Sequence, residues 1–232
     1  MSISDNIKSI KQEIALASAI RQAKGLEASP VRLVAVTKNQ TTASIEEAIG
    51  AGIDCIGENR IQEALSKKSV IQRPVEWHLI GHLQTNKTRQ AVASFDLIHS
   101  VDSERLAVEL DKEAARIGKK QAVLLQVNMA GEETKFGVTE AGTFPLAKTI
   151  ASLANLELAG LMTIAPYFDD AELARPVFRE MYQLFKCLRT EADINTNFKW
   201  LSMGMTNDYK IAIEEGANLV RIGTAIFGPR QY

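Results

Sequence analysis

This 232-residue chain has little cysteine, no long apolar run and no excess of either charge, and each shortage excludes something. The two cysteines, Cys55 and Cys187, are far apart and lack ligand spacing, so they read as small buried hydrophobes in a reducing compartment. No apolar run reaches the roughly 18 residues of a membrane span. The opening "MSISDNIKSIKQEI" reads as an amphipathic helix, not a signal peptide. With 27 basic and 28 acidic residues the net charge is −1, which offers no footprint for nucleic acid or an anionic membrane. A cytoplasmic protein is expected. No linker, low-complexity stretch or shift of composition marks a boundary, so residues 1–232 are expected to form one domain.

What is present is alternation. Ile3, Ile7, Ile10, Ile14 and Ala17 fall on one face of a first helix running to about Lys24. Short apolar strands then alternate with helical stretches. The strands are Arg32–Thr37, "DCIGEN", "WHLIGH", "LIHSVD", "AVLLQVN", "LELAGLMT", "KWLSMG" and "LVRIGTAIFG". Gly50, Gly52, Gly118 and Gly216 lie near helix ends, where a left-handed residue stops a helix. Eight such units in this length predict an α/β fold, a single closed (β/α)8 TIM barrel with an extra N-terminal helix, rather than an open sheet. The longest loop, "MAGEETKFG", is a lid or recognition loop by its length.

Barrel enzymes carry their chemistry at the carboxyl ends of the strands. The unusual polar residues collect there: Lys38, Glu58, Asn59, His82, Asn128, Met162, Thr163, Ser202, Met203, Gly204, Arg221, Gly223 and Thr224. The loops after strands seven and eight, "SMGMT" and "RIGTAIFG", offer glycines, hydroxyls and the start of a short helix, which together suit a phosphate. A lysine in a barrel mouth is desolvated, which favours its neutral, nucleophilic amine. An aldehyde for Lys38 and a phosphate across the barrel point to pyridoxal phosphate. Arg221, a donor only, fits opposite the pyridine nitrogen and would leave that ring a poor electron sink. The alternatives are that Lys38 or Arg221 pairs with Glu58.

The segments "VAVTK", "GENRIQE", "WHLIGHLQTNK", "HSVD", "VNMAGEETKFG", "GLMTIAP" and "LSMGMTNDYKIAIEEGANLVRIGTAIFG" resemble the pyridoxal phosphate homeostasis protein family over nearly the whole chain. The resemblance implies a fold-type III barrel like the amino-terminal domain of alanine racemase. It implies that Lys38 holds the cofactor as a Schiff base and that Ser202, Gly223 and Thr224 hold the phosphate. It places Arg221 against the pyridine nitrogen and Asn59 and His82 in the pocket wall. Thr206 stands where the family often has serine.

The family is associated with balancing free pyridoxal phosphate and amino/keto-acid pools, without established turnover. Racemisation needs two positioned acid/base groups, each worth about 10²–10⁴-fold. Alanine racemase takes one from a second domain, and this chain closes at Tyr232, just past strand eight. Tyr167 and His82 are conceivable substitutes but read as pocket or structural residues. The expectation is a monomeric, non-enzymatic carrier that delivers the cofactor to apo-enzymes. A weak amino-acid racemase and a cofactor-free aldolase are the other readings. Lys87, Lys135 and Lys210 are relay residues for release in the carrier reading, with Glu133, Thr134 and Lys135 gating exit.

Overall fold

Apolar runs too short for helices become strands buried on both faces, and in a computed structural model they close into a parallel barrel. The structure describes residues 2–132, 135–191, 194 and 197–229. The strands are β1 Arg32–Val36, β2 Cys55–Glu58, β3 Glu76–Leu79, β4 Leu97–Val101, β5 Gln121–Gln126, β6 Leu156–Met162, β7 Trp200–Met205 and β8 Leu219–Ile222. Each pairs with the next, and β1 closes on β8 with Arg32 beside Leu219 and Ala35 beside Ile222. The helices are α1 Ile3–Ala23, α2 Thr42–Gly50, α3 Ile61–Lys68, α4 Thr88–Ser94, α5 Glu104–Arg116, α6 Glu140–Ser152, α7 Arg175–Arg189, α8 Tyr209–Glu214 and α9 Thr224–Phe227. Among the described residues no helix is long and apolar enough to cross a membrane.

Successive strand residues point to opposite faces. Val34, Cys55, Leu97, Leu124, Met162 and Leu219 therefore pack on one another inside the barrel. Leu33, Ala35, Ile56, Leu79, Val123 and Leu125 belong to the larger core shared with the helices. Two expectations are corrected. The third strand ends at Leu79, so His82 lies in the following loop and not at the strand's tip. Cys187 is exposed, because Phe178, Met181, Phe185 and Leu188 take the buried face of α7. Cys55 is buried, and that burial pushes its thiol well up.

The extra helix α1 opens with a capping box between Ser2 and Asp5. It buries Ile7 and Ile10, each worth roughly 1.5–3 kcal/mol. Its polar contacts reach the last part of the chain. Asn6 Nδ2 donates to the Ile226 carbonyl at 2.9 Å, the Tyr209 hydroxyl donates to Glu13 Oε2 at 2.5 Å, and Arg21 Nη1 donates to the Ala217 carbonyl at 2.9 Å. The helix thus fixes α8 and α9, the elements that follow β7 and β8.

Candidate functional site

Lys38 follows Thr37, just past the end of β1, in a turn that the surrounding polar groups hold in place. The Gln40 amide donates to the Thr37 carbonyl at 3.0 Å. Asn39 sits at φ 61°, a left-handed conformation that asparagine tolerates better than most residues. Its amide donates to Glu63 Oε1 at 2.6 Å. Lys67 on α3 donates to the Thr37 carbonyl, Glu58 Oε1 and Glu63 Oε1, each at 2.6 Å. The backbone on either side of Lys38 is therefore bolted to α3. Glu58 also accepts from Thr37 Oγ1 at 2.5 Å. Burial pushes the Glu58 carboxyl up, and Lys67 and Thr37 pull it back. The alternatives that paired Lys38 or Arg221 with Glu58 are thus corrected, since Glu58 turns outward to α3.

Lys38 and Arg221 share a cavity of about 340 Å³ at the carboxyl end of the barrel, with Gly223, Thr224, Thr206 and Tyr167 also in its wall. A second cavity of about 330 Å³, near Arg189, Phe198 and Trp200, contains none of the expected site residues. The β7–α8 turn forms part of the wall. The Met205 amide donates to Asp208 Oδ1 at 2.6 Å, and Asn207 Nδ2 ties the turn to the Phe168 carbonyl at 3.0 Å. The Gly223 amide reaches Thr206 Oγ1 at 3.4 Å. A Cβ on Gly223 would meet Val36 Cβ at 3.3 Å, so glycine keeps this wall close to β1. Gly204, at φ 91°, lets α8 pack closely, since a Cβ there would lie 2.6 Å from that of Ala212.

Beneath the cavity the barrel interior is polar. Arg221 Nη1 donates to Ser202 Oγ at 2.6 Å, and Nη2 donates to the Thr163 carbonyl at 2.9 Å. Burial pulls this guanidinium down to about 10, with Asp208 opposing the shift, so it remains a cation at neutral pH. Ser202 Oγ lies 3.1 Å from His99 Nδ1. His99 Nε2 lies 3.0 Å from His78 Nδ1, and His78 Nε2 lies 3.3 Å from Glu76 Oε2. Glu76 also accepts from Arg32.

Of the ten residues expected at the site, the cavity brings together Lys38, Arg221, Gly223 and Thr224. Ser202 is fully buried under Arg221, and Met203 points the other way, into the sheet–helix core. Gly204 packs on α8 and Met162 lies inside the barrel. Asn59 and His82 line a neighbouring cavity of about 540 Å³ with Lys87. There His82 stacks on Phe136 with ring centres 3.7 Å apart. Lys135 pairs with Glu132 at 2.8 Å and Lys210 with Glu13 at 3.4 Å. Glu133 and Thr134 of the expected gate lie outside the described residues. Sequence reasoning missed Gln40 and Asn207 as wall residues, and His78 and His99 altogether. It noted Thr206 only as a substitution, though a hydroxyl directly after "SMGM" was a usable signal.

A family model described as the N-terminal domain of alanine racemase matches residues 12–231. Fold and match define the class, a (β/α)8 barrel of the alanine racemase N-terminal type. A pyridoxal phosphate homeostasis protein of Aquifex aeolicus is 42% identical over 202 residues, covering 87% of this chain and 88% of its own. One from Pasteurella multocida is 39% identical over 238 residues, covering 100% of this chain and 99% of its own. The chain belongs to the pyridoxal phosphate homeostasis protein family. Among solved structures, PipY of Synechococcus elongatus with PLP bound is 34% identical, with a TM-score of 0.84 over 98% of this chain and 100% of that one. A histidine racemase from Leuconostoc mesenteroides shares the fold, with a TM-score of 0.74 over 98% of this chain and 57% of that one, at 15% identity.

Proposed function

We propose that this protein holds pyridoxal 5'-phosphate in the carboxyl-end mouth of its barrel and delivers it to apo-enzymes, balancing the cofactor pool as a monomeric cytoplasmic carrier. The observation that carries the reading is the shared cavity of Lys38 and Arg221, walled by Thr206, Gly223 and Thr224. These residues fit the cofactor's three polar ends. An amine matches the aldehyde, a donor-only guanidinium matches the pyridine nitrogen, and hydroxyls with the Gly223 amide match the phosphate. The close approach of Gly223 to Val36 keeps that cradle free of a Cβ.

When bound, the cofactor supplies an aldehyde that captures amines and a ring that withdraws electrons. The protein's own part is chiefly restraint. The bolted turn at Thr37–Gln40 presents the Lys38 amine, and burial keeps water from Arg221. Arg221 already donates to Ser202 and Thr163, and it carries no acceptor through which it could take up or pass a proton. Arg221 facing the pyridine nitrogen would leave that nitrogen as an acceptor and the ring a poorer electron sink, which supports holding over turnover.

The test is reduction of the loaded protein with borohydride followed by peptide mapping. Cofactor fixed on Lys38, and lost in Lys38→Ala, is the expected result. Label on another lysine, or none, overturns the reading. Delivery is checked by transfer to an apo-enzyme, at a rate distinct from that of free cofactor. One observation supports a second reading, a weak amino-acid racemase. Tyr167, which is 78% exposed, lines the same cavity and could serve as a second acid/base group. Exchange of the Cα hydrogen of L-alanine in deuterium oxide, faster than with free cofactor, would favour that reading.

A further inference from the structure

The polar side chains inside the barrel form one continuous line from Arg221 at the carboxyl-end mouth to Glu76 at the amino-end mouth. We infer that His99 and His78 are a neutral, one-directional hydrogen-bond chain that positions Arg221 for the cofactor, anchored by the Glu76 carboxylate at the opposite face of the barrel. The inference rests on the cofactor reading above for what Arg221 faces, but the chain itself is argued from this protein's own groups.

The two ends fix the direction. Arg221 can only donate, so Ser202 Oγ accepts from it at 2.6 Å. An ionised Glu76 can only accept, so the atom facing it, His78 Nε2, carries a proton. A neutral imidazole has one N–H, which makes His78 Nδ1 an acceptor. His99 Nε2, 3.0 Å away, must then donate to it, and His99 Nδ1 must accept. The donor that faces that atom is the Ser202 hydroxyl at 3.1 Å. Each group then gives one proton and receives one, and the oxygen lone pairs of Ser202 are left to Arg221.

The reverse direction fails. If His99 Nδ1 donated to Ser202, the serine proton would have no place in the line. His78 would then have to donate through Nδ1 and set a bare Nε2 against the carboxylate. Only an imidazolium at His78 would rescue that arrangement. His99 is fully buried and His78 nearly so, and a charge at His78 would be taken out of water beside a Glu76 carboxylate that Arg32 already neutralises. Burial holds both imidazoles below their ordinary range; the second histidine and Arg221 depress His99 further, while at His78 Glu76 and Asp96 favour the charge and Arg32 opposes it, with burial prevailing. Glu76 is held down to about 2 by His78 and Arg32, so it is a carboxylate at working pH.

Glu76 and His78 do not line the cofactor cavity. Their effect must pass through His99 and Ser202, which makes them positioning residues. Without an acceptor at position 76, nothing enforces the His78 tautomer. The line can then flip, and Ser202 is no longer committed to Arg221.

The experiment has two arms. On the cofactor-free protein, long-range ¹H–¹⁵N correlation spectra report imidazole tautomers. Both histidines are expected as Nε2–H, neutral from pH 8 to pH 6. An Nδ1–H tautomer at either ring, or an imidazolium at His78, overturns the chain. In the second arm, pyridoxal phosphate affinity and the pH titration of the bound cofactor's visible band are measured in Glu76→Leu and Glu76→Gln. The Glu76→Gln variant retains an acceptor oxygen and is expected to keep native affinity within twofold. The Glu76→Leu variant is expected to weaken it roughly tenfold and to shift the titration of the band. Equal behaviour of the two variants overturns the positioning role. If the native protein binds no cofactor, the functional reading fails, while the tautomers still decide the chain.

Discussion

The two mouths of the barrel contain similar residues in opposite states. At the amino end, Arg32 meets Glu76 and, at 3.5 Å, Asp54, so a cation faces two carboxylates in a half-exposed cluster. At the carboxyl end, Arg221 is buried and bonded to a hydroxyl and a carbonyl, and the described lining of its cavity includes no acidic side chain. One mouth is neutralised by its own side chains, and the other places two cationic residues, Lys38 and Arg221, in one cavity wall. Of the carboxylates near the upper mouth, Glu58 is turned away to α3, where Lys67 pairs with its Oε1, and Asp208 accepts from the Met205 amide. Charge balance, not residue type, distinguishes the two ends. The lower mouth also brings Cys55, Glu76 and His78 ligand atoms within 4.8 Å of one another. There, however, the Arg32 guanidinium already provides the cation to the carboxylate.

The sharpest way to break this comparison is at the upper carboxylate. Lys67→Met keeps the length of the side chain but leaves Glu58, 0% exposed, without its counter-ion. A buried pair broken on one side costs about 3–5 kcal/mol. Urea unfolding should show a loss of that size. The Thr37–Gln40 turn should also loosen, which slows borohydride-trappable capture at Lys38.

A smaller effect comes from pH. His99 and His78 have folded pKa values below the ordinary 6.5, so below pH 6.5 the unfolded chain binds more protons than the folded one. Stability is therefore full above pH 6.5 and is lost as pH falls below it, with His99, the more deeply depressed of the two, contributing most. Glu76 adds a loss of the same sign, between its ordinary 4.5 and about 2. Thermal midpoints measured from pH 7.5 to pH 5 should fall, and His99→Asn should flatten the slope. An unchanged slope would mean that the imidazoles are already charged in the native state.

How much of this was legible in the sequence depends on which physical rule a residue obeys. The barrel was legible because eight both-sides-buried strands read as continuous apolar runs between helices. Lys38, Arg221, Gly223 and Thr224 were legible as odd chemistry at strand ends. Ser202 and Met203 could not both line one cavity, because adjacent strand residues face opposite ways, and strand parity alone would have separated them. His82 looked terminal because Ile80 and Gly81 give no local sign that β3 has already ended at Leu79. His78 and His99 were missed for the opposite reason. Each stands alone within a short apolar strand, and only the closed barrel brings His99 Nε2 to 3.0 Å from His78 Nδ1.

Thr206 sharpens the contrast on the binding side. Its Oγ1 accepts from the Gly223 amide at 3.4 Å, a long bond that leaves the hydroxyl able to serve a ligand. Thr206→Val should cost cofactor affinity about 1 kcal/mol, roughly fivefold, while Thr206→Ser keeps it. Equal binding by all three proteins would remove this wall from the anion site.

The smallest effect belongs to the lower mouth. Arg32→Gln removes one side of an ion pair whose carboxylate is 47% exposed, so water replaces most of what is lost. Exposed pairs are worth about 0–1 kcal/mol, well below the cost at Lys67. Glu76 still accepts from His78 in this variant, so cofactor affinity should stay within twofold of native. Unfolding and binding measured side by side on Arg32→Gln and Lys67→Met then set the two ends on one scale. A loss of several kcal/mol at Arg32 would mean that the lower cluster supports the fold as a buried pair does, and the contrast between the two mouths would have to be drawn from geometry instead of charge.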